Sequence, residues 1–233
     1  MAALHILSAG AAQSAVRDTM AVFRCATGIE PVAEFGAVGA IKAKALSGSG
    51  AAVDLIVLTD TMIDELIASG FVAAPRADLG KVGTGVAVRE GAVRPDVSNA
   101  DSLCATLRAA SVITFPDPAI ATAGKIVMAC LDKLGITGEV KNRLKLFPNG
   151  NAAMTWLAAE GDASAVGITQ NSEILPIAGV MHVGPLPDEF QAKATYSAGC
   201  VANSARAVEA RDFISRLTGP AAKSMLAAKG FEV

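Results

Sequence analysis

Between Leu4 and Ser69 the sequence switches repeatedly between two hydrophobic periods, and this alternation leaves few folds open. Apolar runs of strand length, Leu4–Ser8, Pro31–Phe35 and Val53–Thr59, are each followed by residues with helical spacing, Ala11–Cys25, Gly39–Leu46 and Thr61–Ser69. A strand–helix–strand order predicts parallel strands joined by right-handed crossovers. In open sheets of this kind, ligands meet the loops that leave the carboxyl ends of the strands.

A second round of the same alternation begins near Gly83. Strands are expected at "GTGVAV", Val112–Phe115, Leu144–Phe147, Ala165–Thr169 and Val180–Val183, with helices at Ser102–Ala109, Ala123–Leu134 and Gly150–Ala159. "AKATYSAGCV" reads as a further strand, and Ala205–Leu217 and Pro220–Lys229 as closing helices. Ala74–Gly83 and Gly184–Phe190 are rich in turn residues and are the candidate crossings between two lobes. The expected architecture is α/β and two-lobed: residues 1–80 plus 190–233 as lobe I, and 84–185 as lobe II, each a mostly parallel sheet flanked by helices. Two lobes with two crossings form a cleft suited to closing on a small ligand.

One connection stands out chemically. "TFPDPAIATAG" passes from a strand through Asp117-Pro118 into the helix starting near Ala123, and its residues from Ala119 to Gly124 are uncharged and, apart from Ile120, small. A helix start bares backbone N–H groups and carries a partial positive charge. Small residues let an anion approach those groups. An ordinary strand–loop–helix connection would read the same way.

Composition narrows the function. Aromatics are 4% of the 233 residues, so an aromatic ligand cage is not expected. The formal net charge is −2 with no run of Lys or Arg, which leaves nucleic acid without an electrostatic footprint. No segment approaches the roughly 18 uninterrupted apolar residues of a membrane span. The opening residues have no basic start and no long apolar stretch, so as written the chain is expected in the cytoplasm, or in the periplasm if a signal has been removed. Cys25, Cys104, Cys130 and Cys200 lie far apart, and His5 and His182 sit in apolar strand-like runs, so neither a metal site nor a cofactor is expected.

Four segments taken in order carry a resemblance: "ILSAGAAQSAV", "DPAIATAGKIVMACLDKLG", "LAAEGDASAVGIT" and "FISRLTGPAAKSMLAAKGF". The chain resembles the molybdate-binding family of type II periplasmic binding proteins over nearly its whole length. The resemblance implies a Venus-flytrap fold, an oxyanion held by helix N-termini, hydroxyls and backbone N–H groups, and an ABC transporter membrane component as partner.

Carried over by position, the resemblance places the ligand at Ser8, Gly10 and Ala11 in the first turn, Val38 and Gly39 at the next helix start, Thr122 and Ala123, Asn149 and Asn151, and Gln170. Ala11, Val38 and Gln170 stand where the family carries hydroxyls, so molybdate and tungstate are expected to bind weakly. The amides of Gln13, Asn149, Asn151, Gln170 and Asn171, with Lys42 or Lys125, suit a carboxylate instead; turn or cap roles for the amides, and a solvated face for the lysines, are the competing readings.

Three functions follow from the resemblance: a solute-binding protein for a small anion, an isomerase like the aconitate-isomerase branch of this fold, or a ligand-sensing module. An isomerase needs an acid and a base, for which Asp117, Glu173, Tyr196 and His5 are the candidates.

Overall fold

The computed structural model describes residues 3–48 and 53–233. The chain divides into two compact units, Met1–Val82 with Ala194–Val233, and Gly83–Lys193. In chain order the elements are β1 (Leu4–Ala9), α1 (Gln13–Thr27), β2 (Pro31–Gly36), α2 (Val38–Ser47), β3 (Leu55–Thr59), α3 (Asp60–Ala68) and β4 (Val72–Val82). There follow β5 (Thr84–Arg89), α4 (Ala100–Ala109), β6 (Ile113–Pro116), α5 (Thr122–Lys133), α6 (Thr137–Val140), β7 (Leu144–Phe147), α7 (Gly150–Glu160), β8 (Val166–Gln170), α8 (Asn171–Ile174) and β9 (Val180–Pro185). β10 (Ala194–Val201), α9 (Ala207–Thr218) and α10 (Lys223–Ala228) complete the order.

The first unit is built on a sheet of order β2-β1-β3-β10-β4. β1 pairs in parallel with β2 and β3, while β10 runs antiparallel to both β3 and β4. Four of its five strands therefore share one direction. All five residues of β3 are buried, as expected of a central strand covered on both faces. On α1 the residues Ala15, Val16, Thr19 and Phe23 make one buried stripe, and Gly28, at φ 71°, ends the helix in the left-handed conformation. Phe23 meets Phe213 of α9 edge to face at 5.4 Å, so α9 packs in this unit's core.

The second unit repeats the arrangement in the order β7-β6-β8-β5-β9. β6 is parallel to β7 and β8, and β5 is antiparallel to β8 and β9. β3 and β8 lie in different sheets. α5 buries Ala123, Gly124, Val127, Cys130 and Leu131. A Cβ on Gly124 would overlap the carbonyl oxygen of Pro116, so glycine there lets the start of α5 close onto the end of β6.

Residues 74–82 correct the turn reading of their stretch: they form most of the 11-residue strand β4, and the boundary between the units, Val82 to Gly83, falls at its end. Pro75 is compatible with the strand because β4 is at the sheet edge and needs a ladder on one side only. Gly80, at φ 138°, sits where β4 is irregular opposite β10. The short α6 and α8, four residues each, were not legible from periodicity.

Candidate functional site

In each unit the parallel strands deliver their following helices at the same edge, so the chemistry of that edge depends on how each helix start is finished. α3 carries Asp60 in its first turn, with Asp60 Oδ1 accepting from Thr61 N. α4, which follows the antiparallel strand β5 and so is not one of these helices, is capped by Asn99, whose Oδ1 accepts from Ser102 N at 3.0 Å.

α2 and α5 are finished differently. Each is preceded by an extended alanine, Ala37 or Ala121, that offers no side-chain cap, and neither has an acidic residue in its first turn. The first N–H with an intrachain acceptor is that of Ile41 in α2, to Ala37 O, and that of Lys125 in α5, to Ala121 O. Among the described residues the N–H groups of Val38, Gly39 and Ala40, and of Thr122, Ala123 and Gly124, have no acceptor. Two helices of 10 and 12 residues, one in each unit, thus present bare, positively polarised ends.

The first turn of unit one is similarly free of acids. Gly10, Ala11 and Ala12 form a buried 3-10 turn between β1 and α1. Ser8 is fully buried on β1 and its Oγ donates to Ala9 O at 3.1 Å, so this hydroxyl is turned onto the backbone. Lys42 pairs with Glu65, and Lys125 lies on the exposed side of α5, which places both lysines on solvated helix faces. Gln13 is half-buried.

α7 contrasts with α5 in the same unit. Asn149 is its cap: Oδ1 accepts from Ala152 N at 2.8 Å and the main-chain oxygen accepts from Ala153 N at 3.2 Å. The two remaining donors are taken by Glu173. Its Oε1 accepts from Gly150 N at 3.2 Å, its Oε2 from Thr169 Oγ1 at 2.6 Å, and the carboxyl group also accepts from the N–H groups of Asn151 and Gln170. A Cβ on Gly150 would overlap both Glu173 Oε2 and Thr169 Oγ1. Burial pushes the Glu173 carboxyl above the usual range, against the pull of those four hydrogen bonds. Of the expected ligand residues, then, Asn149 and the N–H of Asn151 serve the protein's own helix end, while Gln170 is buried at the end of β8.

The remaining acid–base candidates are dispersed. Asp117 Oδ1 accepts from Ala119 N at 2.8 Å and so caps its own turn. Tyr196 is buried on β10, edge to face with Phe231 at 6.4 Å. His5 lies near the amino end of β1, beside a cavity of about 500 Å³ bordered by Glu34, Lys44, Phe71 and Asn203. His182 Nε2 meets Asn171 Oδ1 at 3.1 Å, a contact that the absence of a side chain on Gly85 permits.

Glu173 escaped the sequence reading as a helix-end partner because it lies 23 residues from Gly150 and no local pattern links them. The cap was more accessible: Asn149 three residues before Ala152 at a helix start is an N-cap signature.

Comparison with known proteins agrees with this architecture. The chain is 28% identical over 236 residues to an aconitate isomerase from Pseudomonas sp., covering 98% of this chain and 87% of that one. The fold is shared with the periplasmic molybdate-binding protein of Azotobacter vinelandii (TM-score 0.80, 19% identity, 99% of each chain). It is shared also with the sulfate-binding protein SubI of Mycobacterium tuberculosis H37Rv (TM-score 0.74, 20% identity, 99% of this chain and 86% of that one). The fold is that of type II periplasmic binding proteins. Among the described residues no helix is long and apolar enough to cross a membrane. A family model for bacterial extracellular solute-binding proteins matches residues 4–232, and the protein belongs to that family.

Proposed function

We propose that the protein captures a small anion, preferentially an organic carboxylate, at the strand-to-helix turns of its two units, which serve as the two lobes. The observation that carries this reading is the pair of bare helix ends, at α2 and α5, each with three N–H groups lacking an acceptor among the described residues. Such ends favour negative charge. The carboxylate preference rests on residue type: Ala11, Val38 and Gln170 hold positions for which the resemblance implies hydroxyls, and each hydrogen bond not replaced costs molybdate on the order of 1 kcal/mol. A membrane component of an ABC transporter is the partner that fits a capture role.

A thermal-shift panel of molybdate, tungstate, sulfate and di- and tricarboxylates tests this directly, since a ligand that binds the native state raises the melting point by mass action. The expected result is a carboxylate that raises it in a saturable way, with little response to molybdate. Sub-micromolar molybdate binding, or no response to any anion, overturns it.

Whole-length similarity to an aconitate isomerase favours a second reading, in which the same site isomerises a small tricarboxylate. The reaction removes a proton from one carbon of an allylic unit and returns a proton to the other, so it needs a base for the first carbon and an acid for the second. Of the four candidates, Glu173 stands at the carboxyl end of β8 with its affinity for protons raised. Incubation with trans-aconitate, followed by proton NMR, distinguishes the two: appearance of the cis isomer in proportion to protein supports catalysis, and binding without conversion leaves capture alone.

A further inference from the structure

We propose that the carboxyl group of Glu173 acts as a built-in occupant of the α7 helix end, and thereby determines which ligand charges the protein can read. This deepens the anion-capture reading and rests on it.

The argument compares two helices of one unit. α5 and α7 both follow parallel strands, have 12 and 11 residues, and begin at the same edge of the sheet. Neither has an acidic residue in its own first turn. Among the described residues, three N–H groups of α5 have no acceptor. In α7 every donor of the first turn is spent: Gly150 and Asn151 on Glu173, Ala152 and Ala153 on Asn149.

The occupant is delivered from α8, over a glycine that leaves room for it. Its geometry matches a bound carboxylate, with the Gly150 N–H donating to one oxygen and the Thr169 hydroxyl to the other. Glu173 is 5% exposed, so solvent does not compete for these bonds.

The consequence for specificity is that α7 has no free donor for a ligand. Within this unit an anionic group of the ligand is matched to α5, and an additional anionic group finds the α7 end already filled by a side chain of the same chemical class. Glu173 is on this account a specificity-determining residue that acts by occupying the donors of the α7 end.

Substitution of Glu173 by alanine, rescued with acetate, tests the idea. Glu173→Ala keeps Cβ and removes Cγ, Cδ and both oxygens, and the methyl and carboxylate of acetate replace those atoms. Glu173→Gln keeps the seat filled with an uncharged group. Melting is followed for the wild type and both variants in acetate, with sodium chloride at equal ionic strength and bulky pivalate as controls.

The expected result is a saturable rise of about 5 °C or more for Glu173→Ala at acetate far above its dissociation constant, beyond any rise in the wild type or Glu173→Gln, and absent with pivalate. If Glu173→Ala does not fold alone, acetate in the refolding buffer restores it. Failure of acetate to stabilise or restore that variant, while Glu173→Gln folds, overturns the proposal. The two readings fail separately: rescue of Glu173→Ala with no anion stabilising the wild type removes anion capture and leaves the seat, and the converse removes the seat alone.

Discussion

Glu173 and Gly150 form a matched pair: the carboxyl group accepts from the glycine N–H at 3.2 Å, and it has space only because residue 150 has no side chain. Gly150→Ala places a methyl group onto both Glu173 Oε2 and Thr169 Oγ1, neither of which can move freely in a buried setting. The expected cost is about 2 kcal/mol of stability, in the range of core overpacking. Urea denaturation checks it; a variant as stable as the wild type would show the cluster to be loosely held.

At α5 the expectation is reversed, because among the described residues no acceptor fills the helix end. Ala121→Asp supplies the missing cap and places a negative charge where an anion is proposed to bind. Anion affinity measured by calorimetry should fall more than about tenfold, equivalent to one charge-assisted bond. The apo melting point should hold or rise. Affinity unchanged in the folded variant would place the anion elsewhere.

Acidity offers a separate handle on Glu173. Its folded pKa is raised, principally by burial, so the folded protein holds the proton more tightly than the unfolded chain does. The contribution of this group to stability is therefore fully present below the ordinary glutamate pKa and is lost as pH rises through the raised value. The residues bonded to it, Thr169, Gly150, Asn151 and Gln170, carry no ionisable side chain. The stability of the wild type minus that of Glu173→Gln should decline with rising pH across that window. A difference that grows with pH would contradict the assignment.

The cysteines should separate by reactivity. Burial pushes the Cys130 thiol up to about 12 and also raises that of Cys200, whereas Cys25 is exposed. A maleimide should label Cys25 first in the native protein and reach Cys130 only on unfolding, because the thiolate is the reacting species. Peptide mapping by mass spectrometry reads the order.

Much of the fold was legible because its signal is local. The burial of Leu55–Thr59 and the apolar stripe of α5 follow from periodicity within a few residues. The same local signal identified a helix start near Ala123, reached through an uncharged connection. It failed at β4, where Pro75 and Gly80 carry turn chemistry that an edge strand tolerates. It also gave no hint that the α7 end is filled from α8. The amides there suggested a ligand, yet the Asn149 side chain is committed to Ala152 N, and the main-chain N–H of Asn151 is taken by Glu173 from across the fold.

The shared strand order has a consequence for the order of assembly. The second unit is a continuous run from Gly83 to Lys193, and every partner its sheet needs is present once that run has been synthesised. The first unit cannot be finished on the same schedule. Its β3 and β4 are joined only through β10, with Cys200 facing Leu55 on one side and Ala73 on the other. Until β10 is made, that sheet remains split into β2-β1-β3 and an unpaired β4, with the long-range loop still to be closed. The unit begun first is therefore completed last, and on the ribosome the middle of the chain acquires its native core before either end does.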